Sequence, residues 1–236
     1  MSEDYDIDGL AAYLHLDPVA VRKMAERGKL PGRRVAGEWR FSAAEVHHWL
    51  EERILGSDEA EQARLEGVLR RRARKAGDEE VTLDALLPPE AVAVPLAART
   101  KASVVSEMVV VAARTGWLWD PVKMEEAVRQ REELYPTAVP GGLALLHPRR
   151  PMAGILGAPF VAFGRTTRGI PFGDPGGGLT DLFFLILSMD DGGHLRALAR
   201  LSRVLGDAGV LAALREAQDA AVARDVLIEG ERRLSI

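Results

Sequence analysis

The sequence predicts two folds in one chain: a small, mostly helical module, then a larger α/β domain. Three observations carry this. Seven basic residues (Arg22, Lys23, Arg27, Lys29, Arg33, Arg34, Arg40) meet only two acids (Glu26, Glu38) over 22–40, inside a chain of formal charge −4. After Leu86-Leu87-Pro88-Pro89, helical and extended patterns alternate, as they do in α/β domains. Residues 182–187 form an unbroken apolar run suited to a strand buried on both faces. A length of 236 residues accommodates one large or two small domains.

In chain order, Ile7, Leu10, Ala11 and Leu14 fall at helical spacing and predict a helix over 7–15. Asp17 is an N-cap and Pro18 the first residue of a second helix, with Val21, Met24 and Ala25 as its apolar stripe and Gly28 as its stop. Two short extended arms, 33–35 and 39–41, are joined by Ala36-Gly37-Glu38, a hairpin signal. Ser42 and Glu45 form a capping box opening a helix from 43 to about 54, whose inner face is Val46, Trp49 and Leu50. Trp39 and Trp49 are read as core anchors. Residues 56–80 are strongly charged and free of proline, a helical connector carrying the second basic run, Arg70-Arg71-Arg72-Ala73-Arg74-Lys75.

Beyond it, Val92, Val94 and Leu96 alternate as in a strand. Residues 101–116 read as a helix ended by glycine, and Asp120-Pro121 opens another that runs to about 134. Extended stretches follow over 139–146, 152–163 and 179–187. Two amphipathic helices (about 193–205 and 208–221) and a short helical tail close the chain. Gly173-Asp174-Pro175-Gly176-Gly177-Gly178 lacks the Gly-Lys-Ser/Thr ending of a phosphate loop and reads as a surface turn.

Composition removes several function classes. There is no cysteine, so disulfides, thiolate nucleophiles and cysteine metal sites are excluded. The acidic start is unlike a secretory signal, and no apolar run approaches the ~20 residues of a membrane span. A cytoplasmic protein without membrane insertion is expected.

The helix–turn–helix over 7–28 would place its second helix in a DNA major groove, with Arg22, Lys23 and Arg27 on the exposed face. Arginine can fork onto guanine, while lysine chiefly supplies charge. Arg33, Arg34 and Arg40 on the hairpin would hold the phosphate backbone as a wing. The stretch from Gly9-Leu10-Ala11-Ala12-Tyr13-Leu14 through Arg27-Gly28-Lys29-Leu30-Pro31 to Trp39-Arg40-Phe41 and Val46-His47-His48-Trp49-Leu50 resembles the excisionase and MerR-like winged-helix family. That resemblance implies double-stranded DNA as a partner, bound as a homodimer if the site is palindromic.

Five histidines occur: His15, His47, His48, His147 and His194. The first three lie in the basic module and read as core or solvent residues. His147 instead closes an apolar strand and precedes Pro148; an imidazole is largely neutral at neutral pH and can act as a nucleophile. Its surroundings, Gly142-Leu143-Ala144-Leu145-Leu146-His147, resemble the phosphorylated segment of the phosphotransferase-system enzyme IIA domain of the fructose, mannitol and nitrogen-regulatory type. Arg131-Glu132-Glu133-Leu134 and Thr137 upstream fit that family's spacing, as do Ile170-Pro171-Phe172, Asp181-Leu182-Phe183-Phe184 and His194-Leu195 downstream. Leu146 departs from it, standing where the family has proline.

The resemblance implies a mixed sheet flanked by helices, with His147 accepting a phosphoryl group from a phosphohistidine carrier protein (HPr-like). His194, Arg131 and Thr137 would contact, orient or neutralise that group. A IIB component or a regulated protein would lie downstream, and no metal or organic cofactor would be required. The expected organisation is a winged helix-turn-helix over 1–55, a charged helical linker over 56–83 and an enzyme IIA-like domain over 84–236. The expected function is a phosphocarrier or regulatory protein coupled to DNA binding. The alternative is a non-catalytic transcription regulator that keeps a degenerate IIA fold as sensor or dimerisation domain.

Overall fold

The computed structural model describes residues 4–14, 16–56, 63, 66–67, 69–71 and 82–234. The chain divides into two compact units, 1–80 and 81–236. Most of the connector expected over 56–83 lies outside the described residues, as do His15 and 72–75; residues 63, 66–67 and 69–71 are helical.

The first unit holds helices α1 (Ile7–Leu14), α2 (Pro18–Glu26) and α3 (Ala43–Gly56). A three-stranded antiparallel sheet accompanies them, β1 (Asp4–Tyr5), β2 (Arg33–Val35) and β3 (Glu38–Ser42), in the order β1-β3-β2. Asp17 caps α2 by accepting the Val19 N–H at 2.7 Å, with Pro18 at the first helical position. The hairpin turns through Ala36 (φ 51°) and Gly37 (φ 86°), two consecutive positive φ values that match the twist of the flanking strands. Leu10, Ala11, Leu14, Val21, Ala25, Leu30, Phe41 and Val46 fill the core. The two tryptophans depart from expectation. Trp39 and Trp49 are only half-buried, each beneath an arginine guanidinium, Arg34 at 5.2 Å and Arg53 at 5.1 Å. The aromatic that closes this core is Phe41; Trp39, two residues away on the same face of β3, stacks on it with ring centroids 6.0 Å apart but stays half-buried.

The second unit is built on a five-stranded mixed sheet in the order β4-β7-β8-β6-β5. Its strands are β4 (Val92–Ala93), β5 (Ala138–Val139), β6 (Leu143–Leu146), β7 (Phe160–Pro171) and β8 (Leu179–Leu187). The β4–β7 and β6–β8 pairs are parallel; β7–β8 and β5–β6 are antiparallel. Helices α5 (Lys101–Ala113) and α6 (Pro121–Leu134) follow the one-turn α4 (Leu83–Leu86). The chain ends in α7 (Asp191–Leu205), α8 (Ala208–Glu216) and α9 (Ala220–Leu234). Phe183, Leu185, Leu187, Ala144 and Leu146 form one core with Val104, Met108, Met124 and Val128 of α5 and α6. Leu182, Phe184 and Ile186 alternate to the other face, where α7 packs on β8. Gly164 lets α5 approach the sheet: a Cβ there would lie 2.7 Å from Met108 Sδ.

Several extended stretches differ from the sequence reading. The 92–96 strand is two residues long. Residues 139–146 are a hairpin interrupted at Gly141 and Gly142, both at positive φ. Residues 152–159 carry a 3-10 turn instead of strand, and β7 begins at Phe160. The expected short tail is a 15-residue helix. Tertiary burial explains it: α9 buries its own Ala223, Leu227 and Ile228. Glu231 of α9 accepts the Leu83 N–H at 2.9 and 3.0 Å and meets Arg200 at 3.4 Å. Arg224 donates to the Leu87 carbonyl at 2.7 Å. The glycine-rich segment is a turn, with Asp174 accepting the Gly176 N–H at 2.7 Å.

The α5–α6 contact contains an ion pair, Glu125–Arg129, joined by the Ser106 hydroxyl. Glu125 accepts from Arg129 and from Ser106 at 2.8 Å, and these hydrogen bonds hold its carboxyl below the ordinary carboxylate pKa. A depressed folded-state pKa gives stability that is complete above pH about 4.5 and lost as pH falls through the lowered value. Glu125→Gln should therefore destabilise the unit at pH 7, and its acid-unfolding curve should converge with that of the wild type at low pH. Parallel curves at all pH values would contradict the assignment. Among the described residues no helix is long and apolar enough to cross a membrane.

Candidate functional site

His147 leaves the sheet directly after β6, and Ser188 directly after its parallel neighbour β8. The region beyond the carboxyl ends of adjacent parallel strands is where open α/β sheets bind ligands. The Asp190 carboxylate caps α7 by accepting the Gly193 N–H at 2.8 Å, and this places His194 in the first turn of that helix. The His147 and His194 rings meet at 5.0 Å between centroids, inclined by 55°. His147 Nδ1 lies 2.8 Å from the Leu145 carbonyl oxygen. A carbonyl only accepts, so in the neutral ring Nδ1 carries the proton and Nε2 the lone pair. Leu145 is also held through the preceding peptide, its own N–H donating to the Thr137 carbonyl at 3.2 Å. Ser188 Oγ stands 3.4 Å from His194 Nδ1.

Of the remaining expected site residues, Thr137 engages a buried carboxylate and Arg131 a backbone carbonyl. Thr137 donates both its N–H (3.0 Å) and its hydroxyl to Glu132 Oε1. Lys101 Nζ lies 3.0 Å from Glu132 Oε2, donates to the Phe172 carbonyl at 3.2 Å and sits over the Phe172 ring. Arg131 turns Nη1 to the Tyr135 carbonyl at 2.8 Å. The fold thus brings the His147 and His194 rings together in a tilted contact. Thr137 is attached to the same assembly through its backbone, with its hydroxyl committed to Glu132.

In the first unit the exposed face of α2 carries Arg22, Lys23 and Arg27. The hairpin cations are engaged within the unit. Arg33 pairs with Asp4 at 2.7 Å, Arg40 with Glu38 at 2.9 Å, and Arg34 stacks over Trp39.

The family model for the phosphoenolpyruvate-dependent sugar phosphotransferase system, EIIA 2, matches residues 85–230. The chain belongs to this EIIA family. A helix-turn-helix domain model matches residues 5–54 of the same chain. A nitrogen regulatory protein of Bradyrhizobium diazoefficiens is 36% identical over 145 residues, which is 60% of this chain and 92% of the relative. The nitrogen regulatory protein IIA-Ntr of Neisseria meningitidis superposes with a TM-score of 0.54 at 24% identity, covering 61% of this chain and 97% of the other. Mannitol IIA of Escherichia coli, solved in complex with phosphorylated mannitol IIB, gives 0.54 at 19% identity over 61% and 99%. At these identities the solved structures share the fold.

Within this EIIA domain, sequence reasoning missed three positions. Glu132 stood inside the quoted motif only as spacing. Nothing local marks Lys101, which reaches it from the first turn of α5, or Ser188, one residue beyond a buried strand. A buried carboxylate next to a threonine-bearing turn could have signalled Glu132, because such a group requires partners.

Proposed function

We propose that this chain is a IIA-type phosphocarrier and regulatory protein, phosphorylated on His147 by a phosphohistidine carrier protein and coupled to DNA binding through its N-terminal module. The observation that carries the reading is the His147 ring itself. Its Nδ1 is tied to the Leu145 carbonyl and its plane is set against His194. Nε2 is then the attacking atom. The P–N bond of the donor breaks with return of the electron pair to the donor nitrogen, and a new P–N bond forms at His147 Nε2. Positioning and electrostatics do most of such work. His194 would donate to a phosphoryl oxygen, and Arg131 would neutralise charge on rearrangement of its fork. Thr137 and Glu132 act through the backbone that sets the Leu145 carbonyl. A IIB component is the corresponding onward acceptor. The protein would work in the cytoplasm with its carrier.

The test is incubation with enzyme I, the carrier and labelled phosphoenolpyruvate. Stoichiometric acid-labile label on the wild-type chain is expected; no label overturns the reading. One observation favours the second reading, a non-catalytic regulator with a degenerate IIA fold: Leu146 replaces the family's proline before His147. That reading requires DNA binding with no phosphoryl uptake.

For the N-terminal module, resemblance to excisionase and MerR-like winged helices and the exposed cations of α2 support duplex DNA as ligand. A homodimer is expected on a palindromic site. Arg22→Ala should weaken specific binding by about 1–3 kcal/mol, the worth of one base-reading fork, and leave non-specific binding nearly unchanged. Arg34→Ala should lower both and reduce the salt slope by about one. Titrations of specific and random duplexes at two salt concentrations check this, and equal effects of the two changes would contradict the assignment.

A further inference from the structure

The face of α2 that carries Arg22 and Lys23 also carries an apolar side chain with no role in the fold. Val19 is 73% exposed, more than Leu16 (40%) or Val35 (48%), the other large apolar residues exposed among the described residues of this unit. Packing of α2 is done from its opposite side by Val21 and Ala25, both buried. Val19 sits at the second helical position, three residues before Arg22 and four before Lys23. All three therefore share one face of the helix. Leu16 precedes it in the turn, with its N–H donating to the Ala11 carbonyl at 3.0 Å.

The DNA chemistry that could meet this side chain is narrow. Early residues of a recognition helix are the ones that reach base edges in the major groove. A valine is too short and too apolar to serve a phosphate. The one apolar group displayed in the major groove is the C5 methyl of thymine. Three residues of helix rise about 4.5 Å, little more than one base-pair step of 3.4 Å.

We infer that Val19, with Leu16 beside it, forms a subsite for a thymine methyl, one to two base pairs from the guanine read by Arg22. The inference rests on the DNA-binding reading above and adds a base identity to it. Contact with the methyl would bury apolar surface on both partners that is otherwise left in water.

The experiment selects binding sites for the full chain from a random duplex library. Each thymine of the selected site is then replaced by deoxyuridine, which removes only the methyl. One thymine per half-site should be sensitive, with binding about fourfold weaker on replacement, the factor for losing one methyl-sized contact. Val19→Ser, at an exposed position, should melt with the wild type and lose this sensitivity, while Arg22→Ala binds more weakly but keeps it. No deoxyuridine-sensitive thymine in the wild type, or an equal penalty in Val19→Ser, would overturn the subsite with DNA binding intact. A Val19→Ser chain that changes its oligomeric state and not its base preference would do so too, because Val19 would then be a contact between copies. No enrichment of any sequence would overturn the DNA reading, and the subsite with it.

Discussion

Replacing His147 by alanine is expected to abolish carrier-dependent phosphorylation altogether. In the proposed transfer the attacking lone pair would be that of Nε2, because Nδ1 is engaged by the Leu145 carbonyl at 2.8 Å. His194→Ala should behave differently. Its ring, 5.0 Å from that of His147, would stabilise the phosphoryl oxygens without forming the bond. Its loss should slow transfer by roughly 10²–10³, the usual cost of removing one preorganised donor from a transition state, and leave the final stoichiometry intact. Rapid-quench labelling separates the two variants. Equal label on His147→Ala and the wild type would place the phosphoryl group elsewhere.

The second large effect is on stability. Glu132 is buried and accepts two hydrogen bonds from Thr137, and it meets Lys101 at 3.0 Å. Glu132→Ala would leave a backbone N–H and a hydroxyl without their acceptor, at about 1–3 kcal/mol each. The Lys101 pair adds less, since its amine is partly exposed and screened. A loss of about 2–5 kcal/mol is expected, lowering the melting temperature by roughly 5–15 °C. Glu132→Gln keeps one carbonyl oxygen to accept from Thr137 and should cost less than half of that. Transfer to His147 should slow in Glu132→Ala more than in Glu132→Gln, because the Thr137 carbonyl that holds the Leu145 N–H would shift. Calorimetry and the labelling rate check both; melting unchanged in Glu132→Ala would remove Glu132 from its assigned place.

Local signals carried much of the architecture. Asp17-Pro18 marked the start of α2, the Ala36-Gly37 turn marked the hairpin, and the 182–187 run lies within β8. Each is written in neighbouring residues, where capping, turn conformation and burial act over a few positions. The misreadings share a cause. The 3-10 turn before β7 and the length of α9 depend on partners far away in sequence. One example is Glu231, which holds the Leu83 N–H across 148 positions. The tryptophans of the first unit were misplaced because hydrophobicity alone does not say how deeply an aromatic sinks: Trp39 stacks on buried Phe41 yet stays half-exposed.

The sequence by itself determined the two units and their kinds, the cationic face of α2, and the chemical types of His147 and His194, because composition, capping and periodicity are local properties. The tertiary structure alone decided that those two imidazoles stand 5.0 Å apart and that the Leu145 carbonyl engages His147 Nδ1. It also decided that Glu132 gathers Thr137 and Lys101. Separations of 47 positions between the two histidines and 31 between Lys101 and Glu132 are closed only when parallel strands and packed helices bring their ends to one edge. No local pattern encodes that meeting; burial of the sheet on both faces enforces it.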